Sequence, residues 1–88
     1  MKWIVRLSHN AVRARRRMSE QDRRRIDAAL LAIESDPLVG DVVPLRGPHR
    51  GSFRRRVGDW RIVLTLHPEE RPQAVDINDI LRRTSTTY

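Results

Sequence analysis

The chain has no cysteine, which excludes a disulfide framework and a thiolate metal site and fits a reducing cytosol. Lysine is nearly absent too: Lys2 is the single one, and the remaining Lys+Arg positions are all arginine. The three histidines, His9, His49 and His67, are scattered and offer little support for a metal. At the N-terminus the longest apolar run is Trp3, Ile4 and Val5, well short of a signal-peptide core or a membrane span. A soluble cytoplasmic protein with no membrane partner, metal or cofactor is expected. A chain of 88 residues is expected to form one domain over 1–88. At that size folding buries only about two-thirds of the unfolded surface, which leaves little room for a deep catalytic pocket.

Positive charge is what the chain has in excess, with 18 Lys+Arg against 11 Asp+Glu and a formal net charge of +7. Such a balance favours a polyanionic partner, either a nucleic acid or an acidic protein that masks the same surface. Arginine runs also occur as solvated faces, so their placement along the chain has to decide.

Residues 2–7 alternate, with Trp3, Val5 and Leu7 on one side and Lys2, Ile4 and Arg6 on the other, as in a half-buried strand. Ser8 caps a first helix to about Met18, and Ser19 caps a second whose opening acids, Glu20 and Asp22, suit the positive helix N-terminus. In that helix Ile26, Leu30 and Ile33 recur at helical spacing beside Ala29, a stripe able to lie on a sheet. Asp36-Pro37 ends it, because a residue before proline is pushed out of the helical region. Residues 38–51, rich in glycine and proline, form a loop with a short extended piece at Val42-Val43. Strands follow at 52–57 and 61–67 around Gly58-Asp59, then a turn at 68–72 and a last strand from Ala74 to about Leu81. This β-α-α-β-β-β order predicts an α+β fold with two N-terminal helices packed on an antiparallel sheet.

A two-residue hairpin loop at Gly58-Asp59 sets Val57 opposite Trp60, Arg56 opposite Arg61, Arg55 opposite Ile62, Arg54 opposite Val63 and Phe53 opposite Leu64. Directly opposed residues share a face. One face then carries Phe53, Val57, Trp60, Ile62 and Leu64, and the other carries Arg54, Arg56 and Arg61. Arg55 interrupts the apolar face; it either snorkels over Trp60 or Trp3 or is turned outward by a bulge. Like charges directly opposite destabilise a strand pair, so Arg56 beside Arg61 calls for a counter-charge. A bound phosphate, which guanidinium groups match bidentately, supplies one; Asp59, Asp76 or Asp79 is the internal alternative.

Leu45-Arg46-Gly47, the run from Phe53 through Val57-Gly58-Asp59-Trp60-Arg61 to Leu64, and Val75, Ile77, Ile80, Arg82 and Tyr88 together resemble the RelE/ParE toxin superfamily across nearly the whole chain. That resemblance implies a microbial RNase-like fold, inhibition by a cognate antitoxin and, in the RelE branch, metal-independent cleavage of messenger RNA, often on the ribosome. It further implies attack of a ribose 2′-hydroxyl on the adjacent phosphate. Carried over by position, Arg56 and Arg61 would hold the scissile phosphate, Arg54 the backbone and Arg82 the leaving-group side, while Tyr88 would stack on a base or support proton transfer. Arg13, Arg16, Arg17, Arg50 and Arg83 are the wider RNA contacts of this reading, and the basic helix positions also suit an acidic antitoxin segment. Some members carry lysine where this chain has Ser52 and Arg54, and an arginine is a poor general base. The proton acceptor is therefore left open between His49, His67 and neither. Glu69 and Glu70 lie in a turn with no evident route to the patch. The ParE branch implies a second reading, a DNA gyrase inhibitor that cuts no RNA. A third is a nucleic-acid-binding module without catalysis.

Overall fold

The computed structural model describes residues 2–45 and 51–83. Its elements are β1 (Ile4–Leu7), α1 (His9–Arg16), α2 (Glu20–Ser35), β2 (Val42–Pro44), β3 (Ser52–Val57), β4 (Trp60–His67) and β5 (Ala74–Arg82). The strands form one sheet in the order β1-β5-β4-β3-β2.

Both helices start where a serine hydroxyl accepts a first-turn amide, Ser8 from Ala11 and Ser19 from Asp22. Ser8 does more than cap: its hydroxyl donates to the carbonyl of Asn78 at 2.6 Å and its amide to that of Ile77 at 2.9 Å. The start of α1 is thereby tied to β5. Arg15 clamps the two helices together through a bidentate pair with Asp27, both contacts at 2.8 Å. The Asp36 carboxylate closes the far end of α2 by accepting from the amide of Leu38, and the Trp3 amide donates to the Glu34 carbonyl.

Helices and sheet meet over Ile26, Ile33, Ile62, Leu64, Val75 and Ile77, all fully buried, with Ala11 and Met18 closing the helix side. This layer carries the hydrophobic stabilisation of the fold. The opposite face of the sheet is left for polar groups. Among the described residues no helix is long and apolar enough to cross a membrane.

Three features differ from the sequence expectation. The sheet is mixed, because β1 pairs in parallel with β5 while every other pairing is antiparallel. Alternation specifies which face of a strand is buried but not its neighbour or direction, so the pattern at residues 2–7 holds for either arrangement. The extended piece at Val42-Val43 is a true edge strand, β2, which pairs Val43 with Arg54. Finally, β5 carries a bulge against β4 between Val63 and Leu64, so that Leu64 pairs with Ile77 and Ile62 with Ile80. The extra residue lets Ile77 and Ile80, three apart, both reach the core.

Leu64 is the central test of this layer. Leu64→Ala is expected to lower unfolding free energy by about 2–5 kcal/mol, read as a lower urea midpoint at unchanged slope. A loss within a few tenths of a kcal/mol would show that the sheet and helices do not meet there.

Candidate functional site

The β3–β4 register agrees with the hairpin reading: Val57 opposes Trp60, Arg56 opposes Arg61, Arg55 opposes Ile62 and Arg54 opposes Val63. Gly58 takes φ +57° while Asp59 does not enter the positive region, the pattern of a type II′ turn with glycine first. That turn suits the right-handed twist of the flanking strands, so register and facing follow from it.

Arg54, Arg56 and Arg61 are brought together on the open face, where with Asp41 and Val43 they line a cavity of about 200 Å³. Arg61 is braced from behind, since its Nη1 donates to the carbonyls of Gly58 and Trp60, each at 2.9 Å. Nε and Nη2 remain for other acceptors. Partial desolvation first, then the positive charges of Arg56, Arg83 and Arg54, push the Arg61 guanidinium below its ordinary value, and Asp41 acts in the opposite sense. An arginine stays protonated regardless, and an anion placed between the guanidinium groups would lessen their mutual repulsion.

Arg82 and Arg83 part company. Arg82 opposes Trp60 and so shares its face, with the guanidinium 5.6 Å from the indole ring centre. It does not join the other three. Arg83 instead donates its amide to the Asp59 carbonyl at 2.7 Å, and its charge reaches Arg61. Arg13, Arg16 and Arg17 are exposed on or just after α1, with the sheet between them and the cavity. Arg50, Tyr88 and His49 lie outside the described residues.

Arg55 keeps its place on the core side of β3 without a bulge, for the β3–β4 register is unbroken. Its Nη1 reaches past the sheet to the carbonyl of Val39 at 2.8 Å, and its buried Nε has no hydrogen-bond partner. Ser52 is buried and shares a hydrogen bond with Thr65.

The far end of the open face is electrically the reverse. Arg6 binds Asp76 through Nε at 2.6 Å and Glu70 through both terminal nitrogens at 2.9 and 3.1 Å, while His67 Nε2 lies 2.9 Å from the second Asp76 oxygen. His67 stands six residues from Arg61 along β4, about 20 Å at ordinary strand rise, so it is no proton acceptor for the arginine cavity. Of the foreseen internal counter-charges, Asp76 is engaged with Arg6 and His67, while Asp79 shares the open face with Arg54, both standing opposite Val63, and accepts the Ile80 amide with one carboxylate oxygen. The lining of the arginine cavity itself includes Asp41, which lies in the stretch expected from sequence to be a loop. Among the described residues His67, Glu69 and Glu70 are the grouping whose ligand atoms, within 4.8 Å of one another, could hold a cation. Arg6 and Asp76 already engage two of the three.

No protein-family profile and no curated protein matches the sequence. Solved structures do match it in fold. A chain of the archaeal RelE-RelB complex from Pyrococcus horikoshii OT3 superposes with a TM-score of 0.83 at 22% identity, covering 98% of this chain and 100% of that one. The toxin-antitoxin complex RelBE2 from Mycobacterium tuberculosis gives 0.71 at 25% identity, with 94% and 100% covered. A YoeB/ParE toxin from Agrobacterium tumefaciens gives 0.77 at 15% identity, with 92% and 99% covered. The fold is that of the RelE/ParE toxin superfamily.

Two outcomes follow from this electrostatic layout. Arg56→Ala is expected to raise stability at low salt by some tenths to about 1 kcal/mol in urea unfolding, by relieving the opposed pair. The variant should also lose part of the stabilisation that tripolyphosphate confers on the parent at constant ionic strength; an unchanged response would reject the cavity as an anion site. The second outcome concerns acid. Hydrogen bonds from Arg15 hold the Asp27 carboxyl below its ordinary range, and those from Arg6 do the same for Glu70 and Asp76. A depressed carboxyl stabilises the fold above its unfolded pKa and loses that contribution as pH falls through the folded value. The urea midpoint should therefore be level above about pH 5 and fall below about pH 4, less steeply in Arg6→Ala.

Proposed function

We propose that this chain, which has the fold of the RelE/ParE toxins, is the toxin of a type II toxin–antitoxin pair and cuts messenger RNA. The observation that carries the reading is the cavity on the open sheet face lined by Arg54, Arg56 and Arg61. Three fixed cations on paired strands suit a phosphodiester whose negative charge grows as a 2′-oxygen attacks it. Rigid strands hold them better than a loop would. Arg56 and Arg61 take the scissile phosphate, and Arg54 positions the adjoining backbone. In this reading Arg83 completes the cationic set on the leaving side, and Arg82 acts only through Trp60. Tyr88 stays in the proposal as a base-stacking or proton-transfer group on the strength of the resemblance alone.

A cognate antitoxin is the expected protein partner, and the toxin-antitoxin complexes among the fold's neighbours support it. An acidic antitoxin segment that covers the cavity would relieve the same repulsion as RNA does, and so would inhibit by competition. The exposed Arg13, Arg16 and Arg17, on the other side of the sheet, suit nonspecific contact with ribosomal RNA.

Incubation with translating ribosomes and messenger RNA, beside incubation with gyrase and supercoiled DNA, tests the reading. The parent should cut the message. Arg61→Ala should cut it about 100-fold more slowly or worse, keep its fold and abolish toxicity in growing cells. Intact message beside gyrase-dependent DNA breaks would overturn the ribonuclease reading in favour of the gyrase inhibitor. Tight salt-sensitive RNA binding with no product would leave only a binding module.

A further inference from the structure

We propose that Asp41 is the proton acceptor of the arginine cavity and that Arg55 is the residue that positions it there. The proposal rests on the ribonuclease reading of that cavity. Attack by a 2′-hydroxyl requires a group that removes its proton, and Arg54, Arg56 and Arg61 are permanently protonated. They stabilise charge but accept nothing. Among the described residues the cavity has one carboxylate in its lining, Asp41, and its charge is felt at Arg61. The side chain is exposed, so it meets both substrate and solvent.

The backbone under Asp41 is held from two directions. Its carbonyl accepts the Arg56 amide at 2.9 Å, which fixes Asp41 against the strand that bears one of the phosphate-binding arginines. The residue before it, Gly40, adopts φ +96°, a region that only glycine enters without strain. A Cβ there would stand 3.0 Å from Arg55 Nη2 and 3.1 Å from its Cζ, so the guanidinium lies against the bare glycine backbone. The same guanidinium donates to the Val39 carbonyl. Arg55 thus reaches from the core side of β3 to brace residues 39–40, directly ahead of Asp41. Its buried, unpartnered Nε counts against a merely structural role, because an aliphatic residue opposite Ile62 would avoid that cost.

In the step itself the 2′-oxygen bonds to phosphorus while its proton passes to an Asp41 carboxylate oxygen. The bond from phosphorus to the 5′-oxygen breaks, and that oxygen takes a proton from water. A 2′,3′-cyclic phosphate and a 5′-hydroxyl result, and Asp41 returns its proton to solvent.

Single-turnover cleavage by the full chain, in the same ribosome and message assay, tests both residues. Asp41→Asn keeps shape and removes the acceptor, so cleavage should slow by roughly 100-fold or more, while binding of a 2′-deoxy, uncleavable strand holds or tightens. The acidic limb of the pH–rate profile should vanish in Asp41→Asn and persist in Asp41→Glu. Arg55→Leu should be at least as stable as the parent yet cleave more slowly, with the acidic limb retained and KM unchanged. Asp41→Asn cutting at the parental rate, or losing RNA binding in proportion to rate, would overturn the assignment of Asp41. Arg55→Leu that loses stability and keeps its rate would overturn positioning by Arg55. A parent that cuts no RNA would overturn the ribonuclease reading and this one with it, an outcome distinct from the failure of Asp41 alone.

Discussion

The repulsion between Arg56 and Arg61 is the constraint around which the rest of the open face is arranged. These residues are directly opposed because a two-residue turn at Gly58-Asp59 leaves no slack in the register, and a one-residue slip would send Ile62 and Leu64 to solvent. The core therefore enforces the arginine pair. Burial of Ile62 and Leu64 is worth kilocalories, and an opposed like-charge pair costs at most about 1 kcal/mol, so the fold tolerates the pair without relieving it. A site formed this way does not depend on a ligand for its shape, which is the condition for electrostatic preorganisation.

The surroundings of the pair are consistent with that tension. Arg61 folds back on the turn carbonyls, Arg83 is drawn close by the Asp59 carbonyl, and Asp41 is held at the rim by the chain that enters β2. Among the described residues, Asp41 is the carboxylate in the lining of the cavity that Arg54, Arg56 and Arg61 share. At the other end of the same face Arg6 meets two carboxylates and His67 a shared one. Charge of both signs is thus sorted along the sheet, with the arginine cavity at the hairpin end.

What could be read from the sequence was what short-range geometry controls. Ser8, Ser19 and Asp36 bound the helices because each satisfies backbone groups within a few residues of itself. Gly58-Asp59 sets the hairpin register for the same reason, so Arg54, Arg56 and Arg61 could be placed on one face by counting. Strand pairing across long stretches of chain is not encoded so locally. The alternation at residues 2–7 is silent on whether β1 lies parallel or antiparallel to its neighbour. The bulge was more legible than it looked: Val75 and Ile77 on one face require Ile80 on the other unless a residue is inserted. With that insertion Arg82 falls opposite Trp60.

Asp41 and Arg55 were beyond pattern reading because each makes sense only through the other. An arginine on an apolar strand face looks like an error, and an aspartate in a loop rich in glycine and proline looks like a turn residue. The fold joins them through the Val39 carbonyl and the bare backbone of Gly40. A leucine at residue 55 would pack better against the core but could not reach residue 39. A side chain at residue 40 would strain the backbone and press on the guanidinium, so the glycine and the arginine form one device. Its product is a carboxylate in the lining of a cationic cavity, where the proposed reaction would divide proton transfer and charge stabilisation between residue types that cannot exchange roles.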